Sequence, residues 1–229
     1  MMKSGRDLPS FDMELAPLPA LLIAHAPAPQ RAWHRLCWSL DRRLADVIRR
    51  GGEPTIAAIR LAWWDAVLVE GDRSKGGGEP LVEAWRHAAP AGAALLAERL
   101  IDGWRILLGA EALSAADLAR FARERGGGLF RLIAQAGPQG APDVLEVAGA
   151  AWALWDLAGH SSDAALATAA MDEARAVLAA CPALPRGAAP KPLRMLHALA
   201  AADIRAGRIA QGGFEARHYR ALLWRMLLP

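Results

Sequence analysis

The chain has 229 residues, 54% of them hydrophobic and 22% charged, with a formal net charge of +3. This is enough apolar material for one sizeable core, and the charge is too scattered for a disordered segment or a nucleic-acid surface. Its two cysteines, Cys37 and Cys181, both lie in apolar stretches. They form neither a disulfide framework nor a metal cluster and fit a reducing cytoplasm.

The N-terminal segment, residues 1–27, carries Lys3 and Arg6 ahead of a short apolar run, Leu18 to Ala24. Asp7, Asp12 and Glu14 intervene, and Pro17 and Pro19 interrupt the run, so it does not read as a signal peptide. Beyond it, alanine, leucine and arginine dominate, and these side chains lose little rotamer freedom in a helix. Apolar periodicity predicts roughly eight or nine helices and no strand.

The first helix runs from near Gln30 to Arg50, with Trp33, Leu36, Cys37, Leu40, Leu44, Val47 and Ile48 on one stripe. Gly51 and Gly52 end it. The second opens at Pro54, a favourable first-turn residue, and ends near Gly71, with Ile56, Ile59, Trp63 and Val67 on one face. Residues 71–79 are glycine-rich and predict an exposed, mobile loop. A short helix follows Pro80, and another spans about Gly92 to Leu108.

Ser114 and Asp117 have the spacing of an N-cap and its first-turn acid. They open a helix carrying Leu118, Phe121, Leu129, Leu132 and Ile133, interrupted at Gly126-Gly127-Gly128. Either the helix breaks there, or the missing side chains let another backbone or a lipid tail approach closely. Pro142 to Gly159 predicts a further helix. Ser162 caps the next, to about Ala180, and a proline-rich link covers Cys181 to Pro192. The last two helices cover about Leu193 to Gly207 and Phe214 to Leu227. Short connections favour one all-α domain.

Familiar catalytic signatures are missing from the sequence. Gly76-Gly77-Gly78 lacks the strand and helix context of a nucleotide loop, no histidine pair has ligand spacing around a carboxylate, and no serine sits in a nucleophile elbow. The run Glu53-Pro54-Thr55-Ile56-Ala57-Ala58-Ile59-Arg60-Leu61-Ala62-Trp63-Trp64-Asp65 resembles the E-P-x-x-x-x-x-R-L-x-W-W segment of the squalene/phytoene synthase family. Glu79 to Ala84, Leu100-Ile101-Asp102-Gly103-Trp104, Phe121 to Phe130 and Val147-Ala148-Gly149 resemble later segments of that family, in order, across roughly Gln30 to Trp224. Each motif alone is weak; their order and spacing are more specific.

The resemblance implies an isoprenoid-synthase type of helical bundle, one domain over residues 1–229, with helices around an apolar cavity. In that family two acidic motifs on facing helices hold Mg²⁺, a hard ion that binds oxygen and stabilises departing diphosphate. This chain departs from the pattern at both. The first motif, D-D-x-x-D, becomes Ala45-Asp46-Val47-Ile48-Arg49, retaining only Asp46, while Arg42 matches the family's arginine. The region of the second, Ala174 to Ala202, contains no Asp or Glu. Asp41 and Asp46, five residues apart, diverge around the helix.

The expectation is therefore a pseudoenzyme without a cofactor that binds an isoprenoid or lipid, or acts as an assembly factor on a protein partner. It would be cytoplasmic, with weak peripheral contact at the inner membrane, and would not bind nucleic acid. The alternative is an active prenyltransferase that condenses prenyl diphosphates with Mg²⁺. The candidate ligand-binding residues are Arg42, Asp46, Arg49, Arg60 and Trp64, the arginines as holders of a phosphate or lipid headgroup. The ordinary reading of those arginines is a solvated surface, or ion pairs with Asp46 and Glu53. Trp63 and Trp64 equally suit core packing, with one of them turned to a cavity.

Overall fold

A computed structural model describes residues 15–50, 52–109, 112–137, 141–181, 183–185, 187–212 and 214–227, the last five of these without their side chains. Lys3, Arg6, Asp7, Asp12 and Glu14, and Gly51, lie outside the described residues. Among the described residues every regular element is a helix, and none is long and apolar enough to cross a membrane.

The helices are α1 (Pro17–Ala24), α2 (Arg31–Arg50), α3 (Pro54–Leu68), α4 (Pro80–Ala88), α5 (Ala93–Arg105), α6 (Ala115–Phe121), α7 (Gly128–Ala134), α8 (Pro142–His160), α9 (Ala164–Ala180), α10 (Lys191–Ala206) and α11 (Ala216–Leu227). A π-helical turn, Ala122–Gly127, joins α6 to α7 without a break. Helix α8 is central and packs against the π turn, α7, α9 and α10. It is apolar almost all round, from Leu145 through Trp152 and Trp155 to Ala158, as a helix surrounded by others must be.

The structure differs from the sequence expectation at three places. Helix α1 forms although Pro17 and Pro19 interrupt its sequence, because both fall in the first turn, where an N–H has no intrahelical partner to lose. It buries Leu18, Leu22 and Ile23 against α2 and α10, so residues 17–24 pack as part of the bundle. Helix α3 is rotated from the expected face. It buries Ala57, Leu61, Trp64, Val67 and Leu68, and leaves Ile56 and Ile59 43% and 66% exposed. The cap of α9 is Asp163 and not Ser162, its carboxylate accepting from the backbone N–H groups of Ala165 and Leu166. Of the two readings of Gly126-Gly127-Gly128, the second holds: the helix continues through a π turn, and another backbone approaches closely at Gly126.

Three further expectations hold locally. Ser114 and Asp117 form a reciprocal capping box at α6. Both cysteines are buried and unpaired. The 71–79 loop is largely exposed, and the Arg86 guanidinium donates to the carbonyls of Asp72 (2.7 Å) and Lys75 (2.8 Å) beneath it.

The buried stripe of α2 carries His34, which is fully enclosed with neither ring nitrogen hydrogen-bonded among the described residues. Burial pushes its pKa down from 6.5 to about 4. The unfolded chain therefore takes up a proton at this position as pH falls through that window, and the folded chain does not. Stability is full above pH 6.5 and declines as pH drops towards 4, by about 3 kcal/mol in all. His34→Leu removes both the unsatisfied nitrogens and the proton uptake. Urea unfolding is expected to show the variant more stable than the parent by about 1–2 kcal/mol at pH 5. A variant less stable than the parent at both pH 5 and pH 7.5 would refute this account.

Candidate functional site

The site is built on the π turn. A Cβ at Gly126 would lie 2.1 Å from the Gly149 carbonyl oxygen, and one at Gly149 would lie 2.1 Å from the Gly126 oxygen. On the other side, a Cβ at Gly103 would lie 2.4 Å from the Arg125 backbone nitrogen. Only glycine lets α5, the π turn and α8 meet backbone to backbone in this way. The turn is widened by one residue, a distortion that recurs at functional positions in helices. It carries Arg125 into the interior.

Arg125 is 3% exposed. Its guanidinium lies between the rings of Trp104 and Trp152, at 4.2 Å and 4.7 Å from their centroids. It donates through Nε (3.1 Å) and Nη2 (3.0 Å) to the two carboxylate oxygens of Asp41, and through Nη2 (2.7 Å) to Asp156. Trp104 Nε1 donates to the same Asp41 at 2.8 Å. Burial alone would favour a neutral guanidine, but the charges and hydrogen bonds of Asp41 and Asp156 outweigh it and push the Arg125 pKa up. The group is a permanent cation with two carboxylates around it.

Above this triad lies a cavity of about 230 Å³. Its walls are mainly apolar: Leu18 and Leu22 from α1, Trp38 and Ile48 from α2, Leu107 after α5, Leu157 from α8, and Phe214 before α11. Arg42, Arg49 and His160, all exposed, stand at its open end. Phe214 is held there by a second buried cluster. Asp203 accepts from His218 (2.6 Å), Arg208 (3.2 Å), Arg217 (3.3 Å) and Trp155 (3.3 Å), and His218 stacks on Phe214. Burial would raise the Asp203 pKa, but these donors outweigh it and hold it down. The cluster ties α8, α10 and α11 together.

The five residues singled out from sequence do not form one site. Arg42 and Arg49 line the cavity mouth. Asp46, on the adjoining face of α2, pairs with Arg42 (3.4 Å), Arg49 and Arg50 (3.7 Å). Arg60 and Trp64 border a separate, shallow depression of about 270 Å³, together with Arg43, Asp46, Arg50 and Trp63. Trp64 is buried and meets Trp63 edge to face, with ring centroids 4.9 Å apart.

The sequence reading missed Asp41, Arg125 and Asp156 as a set. The signal was present in the spacing. Asp41 stands four residues after Cys37 and three before Leu44, on the apolar stripe of α2. Arg125 follows Phe121 by four, and Asp156 follows Trp152 by four. Charged residues at core-facing positions need partners inside the protein. Segments that carry the resemblance meet here: Gly103 and Gly149 close on the backbone of the π turn, and the rings of Trp104 and Phe121 lie against the Arg125 guanidinium.

The donor set suits Mg²⁺ poorly. Both carboxylates on the cavity are already bound to Arg125, and Asp46 is bound by three arginines. A dication placed against Asp41 and Asp156 would face a guanidinium that cannot leave or lose its proton. No group of three His, Cys, Asp or Glu among the described residues has the arrangement of a metal site.

In comparisons with known proteins, no protein-family model and no curated protein sequence matches this chain.

Proposed function

We propose that this protein is a non-catalytic relative of the squalene/phytoene synthases, one that holds an isoprenoid or other lipid in the cavity above Arg125. The observation that carries this reading is the Asp41–Arg125–Asp156 triad. An apolar cavity persists, while the carboxylates on its wall are consumed by an internal cation. Arg49 stands where the family pattern places its last carboxylate, and it faces the same mouth. A prenyltransferase needs free carboxylates for metal, because departing diphosphate must be neutralised as the allylic cation forms.

A lipid carrier or assembly factor also needs access to lipid. The outward face of α3 supports peripheral contact with an anionic bilayer at the inner membrane. It presents Ile56 and Ile59 beside Arg60, and Arg43 and Arg50 line the adjoining depression. A protein partner bound through this face is the corresponding route for an assembly factor.

The test is a calorimetric titration with farnesyl diphosphate, with and without Mg²⁺, followed by a product assay on the same sample. The expected result is no released diphosphate, no condensed product and no effect of Mg²⁺ on the binding heat. Metal-dependent binding with turnover would restore the prenyltransferase reading.

A further inference from the structure

The triad also determines which end of a lipid enters the cavity. Arg125 directs Nε and Nη2 at Asp41 and Asp156; its Nη1 has no acceptor among the described residues. Guanidinium N–H groups are strong, fixed donors, and an apolar wall offers them nothing. The neighbouring walls, Trp38, Trp104, Trp152 and Leu22, supply no acceptor for it. A ligand oxygen does. The charge at the floor restricts that oxygen further. Asp41, Arg125 and Asp156 sum to one net negative charge, buried or half-buried, so an anionic head at this depth is repelled and desolvated together. Arg42 and Arg49 share the single Asp46 carboxylate with Arg50 and leave the mouth net positive, but all three stand in solvent, where their attraction for an anion is screened and does not reach this depth.

We infer that the cavity takes an uncharged amphiphile, a lipid alcohol or carbonyl compound, oxygen first, with that oxygen accepting a hydrogen bond from Arg125 Nη1 and the hydrocarbon chain lying towards α1 and the mouth. This rests on the lipid-binding reading above and narrows it. The triad that leaves no free carboxylate on the cavity wall also disfavours the charged diphosphate and selects its neutral counterpart.

The experiment uses quenching of the cavity tryptophans in the full chain, with three probes of one carbon skeleton: farnesol, farnesyl diphosphate and farnesene. Farnesol is expected to bind at least about tenfold more tightly than farnesene, the worth of a hydrogen bond to a charged donor in a dry site. It is also expected to bind at least about tenfold more tightly than farnesyl diphosphate, with no Mg²⁺ dependence. Asp156→Asn, which brings the triad to zero net charge and keeps the Asp41 pair, is expected to narrow the alcohol-over-diphosphate ratio. Equal or tighter binding of the diphosphate would overturn the inference while lipid binding stands. Equal binding of farnesene and farnesol would remove Arg125 as the head-group donor. Binding of none of the three would remove the lipid reading itself, and the inference with it.

Discussion

Gly149→Ala is expected to abolish stable folding, and Gly126→Ala to do the same. The added methyl at either position would sit 2.1 Å from a backbone carbonyl oxygen of the other segment. No rotamer change relieves such a contact, because the added Cβ is fixed by its own backbone and the atom it meets is backbone. The π turn and α8 would have to separate, opening the packing around Phe130 and Trp152, which stack at 5.6 Å. Overpacking against flexible neighbours costs about 1–3 kcal/mol, and against backbone the loss should exceed that range. It is comparable with the whole margin of many domains. Gly77→Ala is the control. A methyl at Gly77 would meet no atom within 4 Å, and the backbone there has no positive φ. Alanine at this position should be neutral or stabilise by a few tenths of a kcal/mol through the unfolded chain. Urea unfolding followed by circular dichroism checks all three; near-wild-type midpoints for the Gly126 and Gly149 variants would refute the backbone contact.

Arg125→Met should be the most damaging side-chain change. It leaves Asp41 buried with only Trp104 as donor, and strips Asp156 of its shortest partner. Removing one member of a buried ion pair costs about 3–5 kcal/mol, because the remaining charge is uncompensated. Replacing the whole charged set costs far less. Adding Asp41→Asn to Arg125→Met keeps an acceptor for Trp104 and removes the buried charge, so the double variant should recover a large part of the loss. A double-mutant cycle by urea unfolding measures this. Additive losses at the two positions, or a loss below about 1 kcal/mol for Arg125→Met, would show that the triad is not a coupled buried unit.

The two experiments separate roles that the site combines. The glycines position the π turn, and the triad neutralises what the turn carries. If both behave as expected, the cavity floor is a structural charge centre that also presents one spare donor to a ligand. The remaining networks act elsewhere. Arg99 bridges Glu124 (2.8 Å) and Glu146 (3.0 Å) on the outer side of the π turn, and the Arg99 hydrogen bond holds the Glu146 pKa down against burial. Arg105 clamps Asp65 of α3 to Asp102 of α5.

Much of the architecture was determined by the sequence alone. The apolar stripe of α2, the capping box at Ser114 and Asp117, the proline starts of α3, α4 and α8, and the turn glycines are local features, set within one helical turn by sterics and hydrogen bonding. The single carboxylate between Ala45 and Arg49 and the absence of Asp and Glu from Ala174 to Ala202 are likewise matters of residue identity. Three things required the tertiary structure. Helix α1 depends on packing against α2 and α10, since eight residues with two first-turn prolines have little helical stability of their own. The facing of α3 was set by what lay across from it: Leu61 and Trp64 found the core, and Ile56 and Ile59 did not. The site itself joins Asp41 to Arg125 across 84 residues of chain, and Arg125 to Asp156 across 31. Spacing marked each as a charge on a buried face, but spacing within a helix carries no information about which other helix lies opposite. That was decided by the close approach at Gly103, Gly126 and Gly149, where missing side chains let three backbones touch and brought one cation between two acids.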